Sequence, residues 1–343
     1  MTSVLVVGAK GVLGRRTLAW GRRHLPELRW VAGHRGAGAR PDERAVDLHD
    51  SASLRRQLGD FQLLINAVGP YDYDPRAILE ACAASGCHYA DLAELPEFLR
   101  AAETVAKGLS EKNIAIVPGC STTPGLLALL AQRLGAGDPP TAFDAWLAIG
   151  TRNPTSTGLV YGLLRPLGRP LPDGSRSFSR LVPRGAALYG RYPYPTSPEV
   201  VQVDGREVPL RFHVGFDRPL LMRALVASNS LWPGRSDRDL RRIARLGSSI
   251  GNLLRPFGGR TGRLFLEAKN TRGESISILE VTAFSEGLDV PAQPAAWVAG
   301  ELARRGGLPG GYAGLESIVS PDSAIAWLRD SGCRVTIDGE ESF

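Results

Sequence analysis

The stretch that decides the fold is Ser3-Val4-Leu5-Val6-Val7-Gly8-Ala9-Lys10-Gly11-Val12-Leu13-Gly14. Its apolar run from Val4 to Val7 reads as a parallel strand buried on both faces. The glycines at 8, 11 and 14 then turn the chain into a helix that continues through Arg15, Arg16, Thr17, Leu18, Ala19 and Trp20. In such a turn Gly8 permits the tight bend, Gly11 lets the backbone approach a pyrophosphate, and Gly14 lets helix and sheet pack closely. The helix N-terminus offers unpaired N–H groups and a positive dipole end to phosphate. A glycine triplet alone is weak, but one that follows a strand and opens a helix predicts a dinucleotide site. The rival reading is that the glycines only permit close packing.

Residues 28–35 read as the second strand, ending in Gly33-His34-Arg35. An NAD-binding domain usually places an Asp or Glu there for the ribose hydroxyls. With no carboxylate to repel a 2′-phosphate, and with Arg35 able to pair with one, the pattern favours NADP over NAD. The competing reading makes Arg35 an exposed loop residue. Residues 45–48 look like a short third strand and 51–58 like a short helix. Asp47 stands where it reaches an adenine edge, or where it caps or turns the chain.

Strands at 61–68, 88–92 and 114–117 alternate with helices at 75–84, 96–108 and beyond Gly125 through Leu134. This alternation predicts a doubly wound parallel sheet that binds ligands at the carboxyl ends of its strands. After the glycine- and proline-rich residues 135–140 the pattern changes. Strands at 143–149, 207–214, 264–270 and 275–283 predict an α+β domain on an antiparallel or mixed sheet. The segment 153–198 shows few periodic elements. A helix at 237–254 carries Leu240, Ile243, Gly247, Ile250 and Leu254 on one side and Arg238, Arg241, Arg242 and Arg245 on another. A solvated face is the plainer reading of those arginines; a membrane surface or an anionic substrate is the sharper one. Helices at 295–305 and 321–330 follow.

A chain of 343 residues, 43% hydrophobic and 22% charged, fits a soluble protein of two domains. No run approaches the ~18 apolar residues of a membrane span, and the chain enters its first strand without room for a signal peptide. Four cysteines, at 82, 87, 120 and 333, lack metal-type spacing and predict reduced thiols in a cytoplasm. The net charge of +6 comes almost wholly from arginine, with acidic residues interspersed. Without a basic face interleaved with aromatics, no nucleic-acid partner and no stable membrane insertion are expected.

The residues resemble the saccharopine dehydrogenase-like family of NADP-binding oxidoreductases. The resemblance rests on the glycine turn, on Ile65-Asn66-Ala67-Val68-Gly69-Pro70-Tyr71, on Ala81-Cys82 with Gly86-Cys87-His88-Tyr89-Ala90-Asp91-Leu92, and on residues 118–125. More weakly, residues 155–162 and 310–332 look like the start of the family's second domain and the tail that packs back on its first. The resemblance implies a Rossmann-type domain over 1–137 and an inserted α+β domain for substrate or oligomerisation over 138–308. A C-terminal segment, 309–343, would pack back on the first domain, and a homodimer stays open. Family members reduce or form C=N bonds of amino-acid adducts, or reduce C=C bonds of lipid and polyketide substrates. A role in specialised-metabolite biosynthesis is one option.

Candidate cofactor residues are therefore Gly8, Ala9, Lys10, Gly11, Val12, Leu13, Gly14, His34, Arg35, Asp47, Asn66, Ala67, Val68, Gly69, Pro70 and Cys120. Glu94, Ser121 and Thr122 share the strand ends. Hydride transfer needs positioning and a proton source. Tyr71 is the first candidate donor, Tyr89 the next, and Asp91 orients a neighbour or accepts from ribose; each has a structural rival. Aromatics Trp146, Tyr161, Phe178, Tyr189, Tyr192 and Tyr194 are available to line a substrate pocket. The Tyr-x-x-x-Lys pair is absent, since Val6, Glu103, Gly108 and Phe265 stand four before the lysines. The scattered histidines read as structural, and no metal site is expected. Two functions stay open: an NADP-dependent reductase or dehydrogenase of a small metabolite, and a non-catalytic NADP-binding sensor or partner protein.

Overall fold

The computed structural model describes residues 1–341 except 37–39, 49, 110, 137–138, 186 and 232–235. The boundary segment 135–140 thus lies partly outside the described residues. The chain forms two compact units, residues 1–129 with 289–324 and residues 130–288 with 325–343.

In the first unit, Ser3–Val7 (β1) leads through the glycine turn to Val12–His24 (α1), then Arg29–His34 (β2) and Glu43–Ala45 (β3). Ser51–Leu58 (α2), Leu63–Asn66 (β4), Arg76–Ser85 (α3), His88–Asp91 (β5), Pro96–Gly108 (α4) and Ala115–Val117 (β6) follow. The parallel strands lie in the order 3-2-1-4-5-6, the doubly wound arrangement. The run 3–7 is buried at every position, as a central parallel strand requires. β1 ends level with its neighbours, Val7 standing opposite Gly33 and Asn66. The third strand starts two residues and ends three residues before the expected 45–48, its last bond to β2 running from the Val46 amide to the His34 carbonyl. Asp47 therefore lies beyond the strand. The α2 cap is Asp50, which accepts from the Ser53 amide at 2.9 Å, so Asp47 does not cap that helix.

The chain passes to the second unit within Leu127–Gly135 (α5). Ala142–Ile149 (β7), Thr157–Leu164 (α6), Leu181–Arg184 (β8), Ala187–Tyr192 (β9), Val200–Val203 (β10) and Arg206–Phe216 (β11) come next. Then follow Pro219–Leu231 (α7), Asp237–Leu254 (α8), Gly262–Lys269 (β12) and Ser275–Ala283 (β13). The sheet is mixed: β7 and β11 pair parallel, while β12, β13 and β9 pair antiparallel with their neighbours. The segment 153–198 is more regular than its composition suggests, since α6, β8 and β9 lie in it. On α8, Leu240, Ala244 and Ser248 form the buried stripe, whereas Ile250 is exposed, contrary to the side the spacing gave it.

Asp289–Ala292 (α9), Pro294–Arg305 (α10), Gly311–Tyr312 (β14) and Leu315–Ile318 (α11) return to the first unit. Pro321–Asp330 (α12), Cys333–Ile337 (β15) and Glu340–Glu341 (β16) end the described chain. Two boundaries differ from the sequence's segmentation. α10, buried along Ala295-Ala296-Trp297-Val298-Ala299, packs with α1 and β4 of the first unit rather than within the 138–308 domain. β14 does extend the first sheet beside β6, but β15 pairs antiparallel with β13 and β16 with β15, so these last two strands complete the second sheet.

Candidate functional site

The glycine turn is held by its own backbone. The Gly8 and Ala9 amides both donate to the Gly33 carbonyl, at 3.1 and 3.2 Å, and the Gly11 amide donates to Gly8 O at 2.8 Å. Gly8 has φ +78°, and a Cβ there would lie 2.7 Å from the Ala67 carbonyl oxygen. A Cβ on Gly14 would run into the Gly8 carbonyl, which is how α1 comes so close to the sheet. Gly11 differs: it is exposed, its φ is −72°, and its Cβ would meet only Gly8 O, at 3.0 Å. No side chain caps the first turn of α1 and no acidic residue stands in it. Free amides, a positive helix end and open space at Gly11 fit a pyrophosphate. Lys10 is exposed on the turn, with Val12 and Leu13 half-buried behind it.

At the end of β2, His34 is buried with Nε2 3.5 Å from Glu43 Oε2, so its ring is turned inward toward β3. Arg35 is exposed and, among the described residues, makes no ion pair. Arg35 stands two residues beyond Gly33, whose carbonyl accepts from the Gly8 and Ala9 amides. Asp47 is exposed one residue after Val46, whose amide is bound to His34 O.

Several expected contacts at the ends of β4, β5 and β6 prove internal. Asn66 is fully buried: Nδ2 donates to the Tyr73 and Tyr89 hydroxyls at 2.8 and 3.0 Å, and Oδ1 accepts from the Val68 amide at 3.1 Å. Every hydrogen-bonding group of that amide but one lone pair is used, so its side chain shapes the loop instead of touching a cofactor. Tyr73 in turn donates to Val68 O at 3.0 Å. The Cys120 thiol is buried and donates to Val117 O at 3.1 Å, which removes it from the cofactor's reach as well. Ala67, Val68, Gly69 and Pro70 remain at the surface of the loop, with Gly69 exposed.

Tyr71 sits at φ 61°, a backbone region rarely held by a non-glycine residue, and its ring is buried against Phe98. Its hydroxyl donates to Asn66 O at 2.7 Å and accepts from the Leu92 amide at 3.2 Å. Burial, with Asp91 nearby, holds the phenol well above its ordinary pKa. The hydroxyl proton is thus committed to the backbone, and the residue clamps the end of β4 to the end of β5. Asp91 is also interior: Oδ1 accepts from the Ala93 and Gly119 amides, both at 2.8 Å, while Oδ2 has no partner. Burial pushes this carboxyl up to about 6, opposed by those two amides and by the Tyr89 hydroxyl, which approaches without closing a hydrogen bond.

That rise has a measurable consequence. Between about pH 4 and pH 6 the folded chain keeps a proton that the unfolded chain has released, so stability falls as pH rises through this window. Asp91→Asn keeps the acceptor for both amides and removes the titration. The difference in unfolding free energy between wild type and variant is expected to change by about 2–3 kcal/mol from pH 4 to pH 7. Denaturant melts at the two pH values measure it, and parallel pH profiles for the two proteins would contradict the interior, protonated Asp91.

The group the sequence left without a role is Glu94. It follows β5, is solvent-exposed, and Ser121 donates to its Oε1 at 3.0 Å. Protein crowded around the carboxyl pushes it up to about 7, against hydrogen bonds from Ser121 and Thr123. Glu316 and Tyr312, from the returning segment, carry raised pKa values, and they act electrostatically with Asp91 and Cys120. Nothing local in the sequence marks Glu316 or Tyr312, because the pairing of β14 with β6 brings them there. His88 Nδ1 accepts the Ala115 amide at 2.8 Å, and His213 stacks on Trp146 at 4.0 Å, so both are structural; His49 lies outside the described residues. Trp146, Tyr161, Phe178, Tyr189 and Tyr194 are buried within the second unit, with only Tyr192 half-exposed. Apolar ring area drives the first five into the core of that unit.

Sheet order, glycine turn and uncapped helix together define a dinucleotide-binding domain. Residues 4–118 match the saccharopine dehydrogenase NADP binding domain, which makes it an NADP(H)-binding domain. The chain is 30% identical over 109 residues to an Arabidopsis thaliana protein named "Probable mitochondrial saccharopine dehydrogenase-like oxidoreductase", covering 30% of this chain and 24% of that one. It is 28% identical over 108 residues to a saccharopine dehydrogenase-like oxidoreductase of Mus musculus, covering 31% and 25%. The matches therefore span about a quarter of these relatives. Over the whole fold, apo saccharopine dehydrogenase (L-Glu forming) from Saccharomyces cerevisiae aligns with TM-score 0.58 and 14% identity, covering 98% of this chain and 99% of that one. A meso-dapdh mutant with DAP from Clostridium tetani aligns with TM-score 0.53 and 11% identity, covering 96% of each. Among the described residues no helix is long and apolar enough to cross a membrane.

Proposed function

We propose that the chain is an NADP(H)-dependent oxidoreductase that moves a hydride to or from a C=N or C=C bond of a small metabolite. Specialised-metabolite biosynthesis is a fitting setting. The observation that carries this reading is Glu94: a solvent-exposed residue whose carboxyl is fixed by Ser121 and held near pKa 7, at the carboxyl end of β5 in an NADP(H)-binding sheet. The names of the relatives point the same way. When bound, the nicotinamide supplies or accepts the hydride.

The chain's own residues do the rest. The first turn of α1 takes the pyrophosphate, and Arg35 takes the 2′-phosphate. Asn66 and Tyr71 hold the 66–73 loop and the β4 and β5 ends in place. Glu94 carries the proton that accompanies the hydride, because a pKa of about 7 lets it both hold and release a proton near neutral pH. This role replaces Tyr71, whose proton is committed to Asn66 O, and Asp91, which is interior. Substrate recognition and any homodimer contact belong to the second unit. Four free, buried thiols support a reducing compartment such as the cytoplasm.

NADPH oxidation with candidate imines and enoyl compounds tests the reading. Glu94→Gln should lower kcat about 10²-fold, leave NADPH affinity level, and remove the ionisation near pH 7 from the rate profile. Unchanged turnover would remove Glu94 from the chemistry, and NADPH binding without turnover on any substrate would favour the sensor reading. Arg35→Ala should narrow the preference for NADPH over NADH by about 1–3 kcal/mol, measured by parallel titrations. A preference unchanged by that substitution would move the 2′-phosphate contact elsewhere.

A further inference from the structure

The long helix α8 carries two apolar stripes, and the protein covers only one of them. Leu240 and Ala244 are buried with Tyr161 and Leu164 of α6, and Ser248 continues the same stripe facing Thr157. A second stripe is formed by Leu246, Ile250 and Leu253, continued by Phe257 in the turn after the helix. These four residues are 64, 47, 76 and 71% exposed. Their spacing keeps them on one side of the helix, rotated by roughly two fifths of a turn from the buried stripe.

Next around the helix stand Arg238, Arg242 and Arg245, all exposed and, among the described residues, without an ion pair. The acidic residues of the helix are already engaged. Asp237 accepts from Arg241 at 2.8 Å, and Asp239 accepts from the capping Ser236 hydroxyl at 2.7 Å. A second copy of this face would therefore bring cations to cations. An apolar stripe flanked by unneutralised arginines suits an anionic lipid surface, where the apolar side chains enter the acyl boundary and the guanidiniums meet headgroup anions.

We propose that α8 and Phe257 seat the protein reversibly on bilayers that contain anionic lipid. The helix lies in the interface and does not span it. The surface belongs wholly to the second unit and is independent of the NADP(H) chemistry.

Flotation of the full chain with vesicles tests this. Vesicles of phosphatidylcholine with about 30% phosphatidylserine should carry the protein, and pure phosphatidylcholine should bind it at least about tenfold more weakly. Leu246→Ser/Leu253→Ser/Phe257→Ser should reduce binding to anionic vesicles by about tenfold or more. Arg238→Gln/Arg242→Gln/Arg245→Gln should weaken it by about fivefold per arginine. All six positions are exposed, so thermal melting and NADPH affinity should stay at wild-type values in both variants. Failure to float with anionic vesicles, or flotation unaffected by the apolar variant, would overturn the proposal. So would light scattering that shows a dimer which the apolar variant alone dissociates, since a second copy would then cover the stripe.

Discussion

Replacing Gly11 with valine should abolish NADPH binding while the protein stays folded. The backbone at Gly11 has φ −72° and ψ 169°, which any residue adopts, and the position is exposed. A Cβ there meets only the Gly8 carbonyl at 3.0 Å, so the turn needs to give by a few tenths of an ångström. The rest of the new side chain occupies the space above the first turn of α1 that a pyrophosphate must enter. NADPH affinity should fall by about 10²-fold or more, with the melting temperature within a few degrees of wild type. Gly14→Val makes the opposite partition. Its Cβ collides with the backbone of Gly8 and has no room to yield, so that variant should lose stability first. Normal NADPH binding by a folded Gly11→Val protein would place the phosphate site elsewhere.

The second large effect is on stability. Asn66→Ala should cost about 3–5 kcal/mol, because it strands the Val68 amide and removes the donor to the buried Tyr89 hydroxyl and the half-buried Tyr73 hydroxyl at once. Tyr71→Phe leaves the Leu92 amide with only its 3.4 Å bond to Asn66 O and leaves Asn66 O with one partner fewer, which should cost about 1–2 kcal/mol. The account further expects Tyr71→Phe to turn over at nearly the wild-type rate once folded, since the hydroxyl faces backbone. Denaturant melts and steady-state rates separate the two. A loss below about 1 kcal/mol for Asn66→Ala would mean that water replaces the amide. A fall in kcat of about 10²-fold for Tyr71→Phe would return the proton role to that phenol.

Much of the first unit was legible because its signals are local. The strand from Ser3 to Val7 and the glycines that follow announce themselves by composition and spacing, and the absence of a carboxylate after Gly33 is visible in three residues. The roles of Asn66, Tyr71, Asp91 and Cys120 were not. Their positions at strand ends were correctly placed, but only the fold shows that Asn66 turns toward Tyr73 and Tyr89 and that Cys120 turns toward Val117 O. An exposed contact and a buried one have the same sequence spacing. Glu94 stood among the strand-end residues yet had no distinguishing neighbour in sequence; Ser121, which fixes it, comes from the next strand end. The second unit was harder for the same reason. Trp146, Tyr161 and Tyr189 look alike whether they line a pocket or fill a core, and α8 shows its second stripe only once α6 covers the first. Residues 309–343 read as one tail on the first domain, because strand pairing between β13 and β15 is a long-range choice that no local pattern records.

The most direct test of the central claim is a pair of fluorescence titrations of the purified chain with NADPH and NADH. The glycine turn beside a free Arg35, with no carboxylate at the end of β2, predicts saturable 1:1 binding of NADPH at least about tenfold tighter than NADH. Failure of NADPH to saturate, or equal affinity for the two cofactors, would contradict it.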